Sequence, residues 1–392
     1  MTIQQWFYLA LSLIGLFLSS WIIVPAPIFS LLPLAVGAPE ISPLLLLGNA
    51  IMLGVSLLQR SRSWGCYLAI ASSVVGLILS SLPLFHLPST VQRAEQMMQT
   101  ALGNQYLTQI PGERKARMRP HPFALADLIT GIAIPTVHVE RQSFLTLDGT
   151  RLPLDIYHPT TPQPHPAIVT IYGGAWQRGN PEQHATFNRY IASQGYTVVA
   201  IDYRHAPRYQ FPTQIEDVQA ALHWLTQNAA AWQIDTTRVA LMGWSAGAHL
   251  ALLTAYQAGI IPIRAVVSYY SPTNLTAGYH DPPVPDPINS RAVLEAFLGG
   301  TPAELPQQYK QASPIQHVKP GLPPTLLIYG DRDHVVKPVF SQQLYHQLQL
   351  TGNTAVWISL PWAEHAFDAV FRGLGNQIAL YYTERFLAWA LR

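Results

Sequence analysis

Three long apolar stretches open the chain, and short apolar runs alternating with amphipathic stretches fill the rest. Residues 6–24 and 64–85 carry no charged side chain, and each is long enough, as a helix, to cross about 30 Å of hydrocarbon. Residues 44–58 form a shorter run of the same kind. Backbone polar groups in lipid must pair within their own segment, so helix is the expected form. Trp6, Tyr8, Trp21, Trp64 and Tyr67 fall near the expected ends, where amphipathic rings favour the headgroup region. The opening "MTIQQWFY" lacks the positive region of a cleaved signal peptide. The pattern predicts three membrane segments within residues 1–86, or two if 44–58 is a buried helix of another kind.

Residues 87–135 read as a linker. Within them "STVQRAEQMMQTAL" places Val91, Ala94, Met97, Met98 and Leu102 on one side at helical spacing. Such a stripe is a packing surface, facing either the next domain or the membrane. From residue 136 the period changes. Residues 143–157 predict two strands around an Asp-Gly turn. Strands are then expected in "PAIVTIYGG" (166–174), at 196–203 and in "RVALMGWSAG" (238–247, strand then turn), and in "IRAVVSYYSP", "PTLLIYGDRD" and "TAVWISLPWAEH". Helices are expected at 187–194, 214–232 and 248–259, with a last one in "LYYTERFLAWAL". This order predicts one α/β domain over residues 136–392: a mostly parallel sheet with helices on both faces.

Composition supports the division. Only 11% of residues are charged, against about 25% in ordinary soluble domains. Glu40 is the only acidic residue before residue 87, and no Lys or Arg precedes Arg60. The net charge of +2 gives no electrostatic footprint for nucleic acid. The single cysteine, Cys66, excludes a disulfide framework and a Cys-based zinc cluster. No metal site or nucleotide loop is legible, so no cofactor is expected. Arg60 and Arg62 would hold the second loop in the cytoplasm, which puts the α/β domain on the non-cytoplasmic side. Arg93 and the run "ERKARMR" at 113–119 oppose this, but the run lies beyond the range over which such charges count and reads as a surface linker.

Catalytic groups of such a sheet belong at the carboxyl ends of its strands, and the polar candidates fall there. Gly243-Trp244-Ser245-Ala246-Gly247 fits G-x-S-x-G between an expected strand and an expected helix. Small neighbours let the turn close and leave the Ser245 hydroxyl exposed at a helix N-terminus. That hydroxyl needs a base, itself held by an acid. Asp331 and Asp333 follow one strand and His365 follows the last. Asp333 is the expected acid, Asp331 a turn cap, and Glu364 and Asp368 supporting groups. "YGGAW" at 172–176 offers backbone N–H groups that, with Ala246, suit an oxyanion. The Pro-rich stretch 273–300 predicts a lid or pocket rim. Trp176, Trp244 and Tyr279 are expected to line an acyl or alcohol pocket.

These residues resemble the α/β-hydrolase superfamily. They are most similar to its esterase/lipase group, which includes hormone-sensitive-lipase-like enzymes, feruloyl and acetyl-xylan esterases and kynurenine formamidase. "YGGAW" is similar to the group's His-Gly-Gly-x-Trp, with Tyr172 in place of the His. "DYRHAPRYQFPTQIEDV", "GWSAGAHLAL", Gly330-x-x-Asp333-x-x-Val336 and His365-x-Phe367 match in order, covering roughly residues 140–392. The resemblance implies Ser245 as nucleophile, His365 as base and Asp333 as orienting acid. It implies an oxyanion hole from the N–H groups of Gly174, Ala175 and Ala246, shaped by Gly173. Asp202, Arg204 and Asp217 would form an ion-paired scaffold. The expected function is a membrane-anchored serine hydrolase of the carboxylesterase type, acting on a small-molecule or lipid-like ester. The alternatives are amide or formamide hydrolysis by the same fold, and a non-catalytic membrane receptor or scaffold.

Overall fold

A computed structural model describes residues 2–59, 63–159, 161, 163–257, 259 and 261–392. The expected strands pair into one eight-stranded sheet: β1 (His138–Leu145), β2 (Arg151–His158), β3 (His165–Ile171), β4 (Thr197–Ile201), β5 (Ile234–Trp244), β6 (Ile263–Tyr269), β7 (Thr325–Gly330) and β8 (Ala355–Leu360). Their spatial order is β1-β2-β4-β3-β5-β6-β7-β8. β1, β2 and β4 pair antiparallel, and every other pair is parallel. Every residue of β3, β4 and β7 is buried, as expected of strands covered on both faces. The helices Ala185–Ser193, Thr213–Asn228, Ala246–Tyr256, Pro338–Leu350 and Leu374–Ala390 supply the cover.

The N-terminal region forms α1 (Ile3–Ser20), α2 (Leu32–Glu40), α3 (Ser42–Leu58) and α4 (Trp64–Leu102). α1, α3 and α4 pack on one another, and the inside of this bundle is polar. Ser12, Ser19, Asn49, Ser56, Ser72 and Ser73 are buried. Asn49 donates to Ser19 Oγ at 2.9 Å, and Ser73 Oγ donates to Ser12 Oγ at 3.2 Å. Phe7, Ile14 and Phe17 on α1, Leu47 and Ile51 on α3, and Val75 and Ile78 on α4 face outward. α1 and α4 are each long and apolar enough to cross a membrane. α2 with its 3-10 turn and α3, bent 79° apart, pass the same test together.

The expected boundary at residue 86 is not a break in the chain. α4 runs on to Leu102 through Pro83 and Pro88, about 58 Å at 1.5 Å per residue. Its second half carries the expected stripe, and Ala94, Met98 and Leu102 join the core of the α/β domain. The basic run is not a free surface linker either. Arg114 lies over the Tyr196 ring and donates to the Leu391 carbonyl at 3.0 Å. Arg119 is buried, bonded through its N–H to Glu384 and paired with Asp127 at 2.8 Å. Arg60 and Arg62 lie outside the described residues.

Candidate active site

Ser245 sits between β5 and the helix Ala246–Tyr256 with φ 51° and ψ −120°. A side-chain-bearing residue held at positive φ is strained backbone kept in place by its surroundings. Its N–H donates to the Tyr269 carbonyl at the end of β6, 2.9 Å away. The turn closes only around glycine: a Cβ on Gly247 would lie 2.0 Å from the Ile171 carbonyl oxygen. The helix therefore begins directly against the end of β3.

Two other strand ends deliver the partners. His365 Nε2 lies 3.0 Å from Ser245 Oγ, and His365 Nδ1 lies 2.7 Å from Asp333 Oδ2. The second carboxylate oxygen of Asp333 accepts from the N–H groups of Val335 at 2.8 Å and Val336 at 2.7 Å. Burial raises the Asp333 carboxyl above its ordinary value, and His365 is the largest influence opposing it. The three side chains expected from the sequence thus form one connected relay. Asp331 instead accepts from Ser359 Oγ at 2.6 Å. Glu364 accepts from the N–H of His365 at 3.1 Å and meets His334 Nδ1 at 2.6 Å.

The loop after β3 carries three successive positive φ values, 135° at Gly174, 55° at Ala175 and 58° at Trp176. The Gly174 carbonyl closes the turn by accepting from Gln177 and Arg178 at 3.0 and 3.2 Å. The N–H groups of Gly173, Gly174 and Ala175 donate to no backbone carbonyl among the described residues. These residues and Ala246 border the cavity that holds Ser245 and His365. Free donors beside a nucleophile can hold a developing oxyanion. Tyr172 tethers this loop: its hydroxyl donates to Asp202, lies 2.8 Å from His205 Nε2, and its ring stacks on Tyr203. Asp202 accordingly serves Tyr172 and is not ion-paired to Arg204. Arg204 and Asp217 do pair, at 2.7 Å.

The cavity is about 810 Å³, toward the upper end of the usual range for ligand pockets. Trp176 and Trp244 border it, but both are almost wholly buried. Trp176 stacks on Phe297 and donates to His249 Nδ1 at 3.2 Å, and Trp244 stacks on His184 at 3.7 Å. Tyr279 does not reach the cavity, although its neighbour Gly278 does. Its hydroxyl turns away to Glu295, 2.6 Å away, and its ring meets Tyr309. The expected rim at 273–300 does border the cavity, through Leu275, Ile288 and Leu294 among others.

Besides the expected Asp368, three contributors have no signal in the sequence: His184, Tyr270 and part of the N-terminal region. His184 lies 3.5 Å from Asp368, and burial pushes its pKa down to about 3, so the ring is neutral. Asp368 accepts from the Tyr270 hydroxyl, and its pKa is pushed up to about 6 by burial. Tyr270, at φ 41°, places its ring 4.5 Å from that of His365. Finally Phe29, Leu32, Pro33 and Val36, from the N-terminal region, border the same cavity.

Comparison with known proteins agrees with this architecture. The BD-FAE family model matches residues 154–348. The chain is 30% identical over 247 residues to esterase LipC of Mycobacterium tuberculosis, covering 59% of this chain and 60% of that one. It is 31% identical over 239 residues to the probable carboxylic ester hydrolase LipM of the same organism, covering 57% and 54%. The chain thus spans somewhat more than half the length of these relatives. Among solved structures, a bacterial heroin esterase superposes with a TM-score of 0.60 at 24% identity, covering 73% of this chain and 99% of the other. That likeness establishes the fold.

Proposed function

We propose that the chain is an α/β-hydrolase of the esterase/lipase group, a membrane-anchored serine hydrolase cleaving carboxylic esters through an acyl-enzyme. The observation that carries this reading is the relay from Ser245 through His365 to Asp333, at 3.0 and 2.7 Å. His365 Nε2 takes the Ser245 hydroxyl proton as Oγ attacks the ester carbonyl carbon. The carbonyl oxygen becomes an oxyanion held by the N–H groups of Gly174, Ala175 and Ala246, in a hole that Gly173 shapes. Collapse of this intermediate expels the alcohol, which leaves with the proton from His365. Water, deprotonated by His365, then attacks the acyl carbon and releases the acid and Ser245. Asp333 fixes the His365 tautomer with Nδ1–H inward and stabilises the imidazolium. Esters are preferred over amides because the relatives carry esterase names, and the complete relay favours an enzyme over a receptor.

Membrane anchoring is supported by the bundle's arrangement, apolar outside and polar inside, which suits lipid rather than water. With α1, α3 and the first half of α4 crossing, the hydrolase domain lies on the side opposite the N-terminus, which we assign as non-cytoplasmic. The test uses the full chain in detergent or vesicles. A fluorophosphonate should label the wild type at Ser245 and p-nitrophenyl acetate should be hydrolysed. Ser245→Ala should lose both, the activity by roughly 10⁴-fold or more. An unlabelled, inactive but folded wild type would overturn the proposal.

A further inference from the structure

The segment joining α1 to α3 touches each of the loops that build the site. Trp21, Ile22, Ala26, Leu32, Ala35 and Val36 form one buried cluster with Val335, and Val336 packs against it. Val335 and Val336 are the residues whose N–H groups hold the Asp333 carboxylate. Next to them, Arg332 donates to the Ile23 carbonyl. On the oxyanion side the Arg178 guanidinium sits 4.6 Å from the centre of the Phe29 ring. Beyond the histidine loop, Glu40 accepts from the N–H groups of Gly375 at 2.7 Å and Asn376 at 3.3 Å. These contacts tie a region with the character of a membrane bundle onto three separate parts of the hydrolase domain.

Between them Phe29, Leu32, Pro33 and Val36 face the cavity that holds Ser245 and His365. The cavity is thus closed on one side by the bundle's own chain, at the end where α1 stops and α3 begins. Among the described residues two cations border the cavity and both are engaged: Lys337 is paired with Asp281, and the Arg178 guanidinium lies over the Phe29 ring. An acyl chain moving from lipid to an apolar wall exchanges one hydrocarbon surface for another at almost no cost. The same chain taken from lipid into a wet or polar cleft would lose the benefit of burial at every methylene.

Building on the serine-hydrolase reading, we propose that residues 21–40 form the acyl-side wall of the site and that the substrate is a neutral long-chain ester resident in the bilayer. The test reconstitutes the full chain in phosphatidylcholine vesicles carrying p-nitrophenyl palmitate and compares it with p-nitrophenyl acetate. We expect kcat/KM to favour palmitate by about tenfold or more. Val36→Trp, which fills the wall, should cut that preference about tenfold, and Leu32→Ala should shift it about threefold. Fluorophosphonate labelling of Ser245 in each variant reports an intact site. Palmitate held in separate, enzyme-free vesicles should be cleaved at least about tenfold more slowly than palmitate in the enzyme's own bilayer. Variants that are labelled but leave the palmitate-to-acetate ratio unmoved would overturn the wall. Equal rates from separate vesicles would overturn delivery through the bilayer. A wild type that is neither labelled nor active on acetate would instead defeat the serine-hydrolase reading on which the inference rests.

Discussion

The two halves of this molecule sort their side chains in opposite directions. In the α/β domain β3, β4 and β7 bury every residue, and residues 136–392 carry most of the chain's charged side chains. In the bundle of α1, α3 and α4, serines and Asn49 lie inside while Phe7, Ile14, Ile51, Val75 and Ile78 point out. The hydrophobic effect drives burial only where water is the alternative. A helix surrounded by hydrocarbon gains nothing by hiding leucine and much by pairing its polar groups. The inversion is what the proposed anchoring in lipid requires of the bundle. The junction matters because residues of both halves border the cavity.

The largest effect expected from breaking either half belongs to the relay. Asp333→Asn keeps the shape of the side chain but removes the charge that fixes His365 Nδ1–H. A loss of roughly 10⁴-fold in kcat follows if Asp333 orients the base as in comparable triads. Esterase assays on the full chain check it, and a loss below about tenfold would assign Asp333 to structure alone. On the bundle side, Val75 is 45% exposed near the middle of the apolar part of α4. Val75→Lys should cost about 2.5–3.5 kcal/mol if that surface faces lipid, and no more than about 0.5 kcal/mol if it faces water. The fraction of chain retained in carbonate-washed membranes separates the two.

How much of this could be read beforehand follows from the range of the interactions involved. The sheet and the relay were legible because each is local: a short apolar run, then a glycine-flanked or charged residue at its end. The distance between Ser245 and His365 did not have to be read, since strand order supplies it. The end of the third apolar run at Phe85 was legible too, but it is a change of composition within one helix and not the end of that helix. Tyr279 was misplaced because sequence cannot show which way a ring turns, and Glu295, 16 residues later, captures its hydroxyl. The contribution of Phe29, Leu32 and Val36 had no signal at all. It depends on contacts with residues about 150 to 300 positions later, between segments that each look self-sufficient.

A third effect sharpens the hydrolase side. Asp368 is pushed up to about 6 by burial, from 3.8 in the unfolded chain. Between these values the folded state holds its proton more tightly than the unfolded one. Its contribution to stability is therefore fully present below about pH 4 and lost as pH rises through about 6. His184, Tyr270, His365, Tyr269 and Glu40 are the titratable groups around it. Asp368→Asn cannot ionise, so its stability relative to wild type should improve by about 2 kcal/mol between pH 4.5 and 7.5. Thermal unfolding in detergent at the two pH values measures this, and a flat or opposite trend would refute it.

The smallest expected effect lies inside the bundle, where it tests whether the polar interior holds the helices together. Asn49 on α3 donates to Ser19 on α1, and its side chain fills the space left by glycines on both neighbours. A Cβ on Gly15 would lie 2.5 Å from Asn49 Oδ1, and one on Gly76 of α4 would lie 2.4 Å from it. Hydrogen bonds between helices in lipid average about 0.6 kcal/mol and reach about 1.7. Asn49→Ala should therefore destabilise the bundle by about 1 kcal/mol, without changing fluorophosphonate labelling of Ser245. Gly76→Ala alone should cost about 1–3 kcal/mol through overpacking. In the Asn49→Ala background the three atoms nearest to that Cβ are gone and the same change should cost less, so the double-mutant cycle isolates the contact. Additive costs would mean that α3 and α4 are not held apart by this side chain, and the inward-facing polar groups would then be incidental to how the bundle packs.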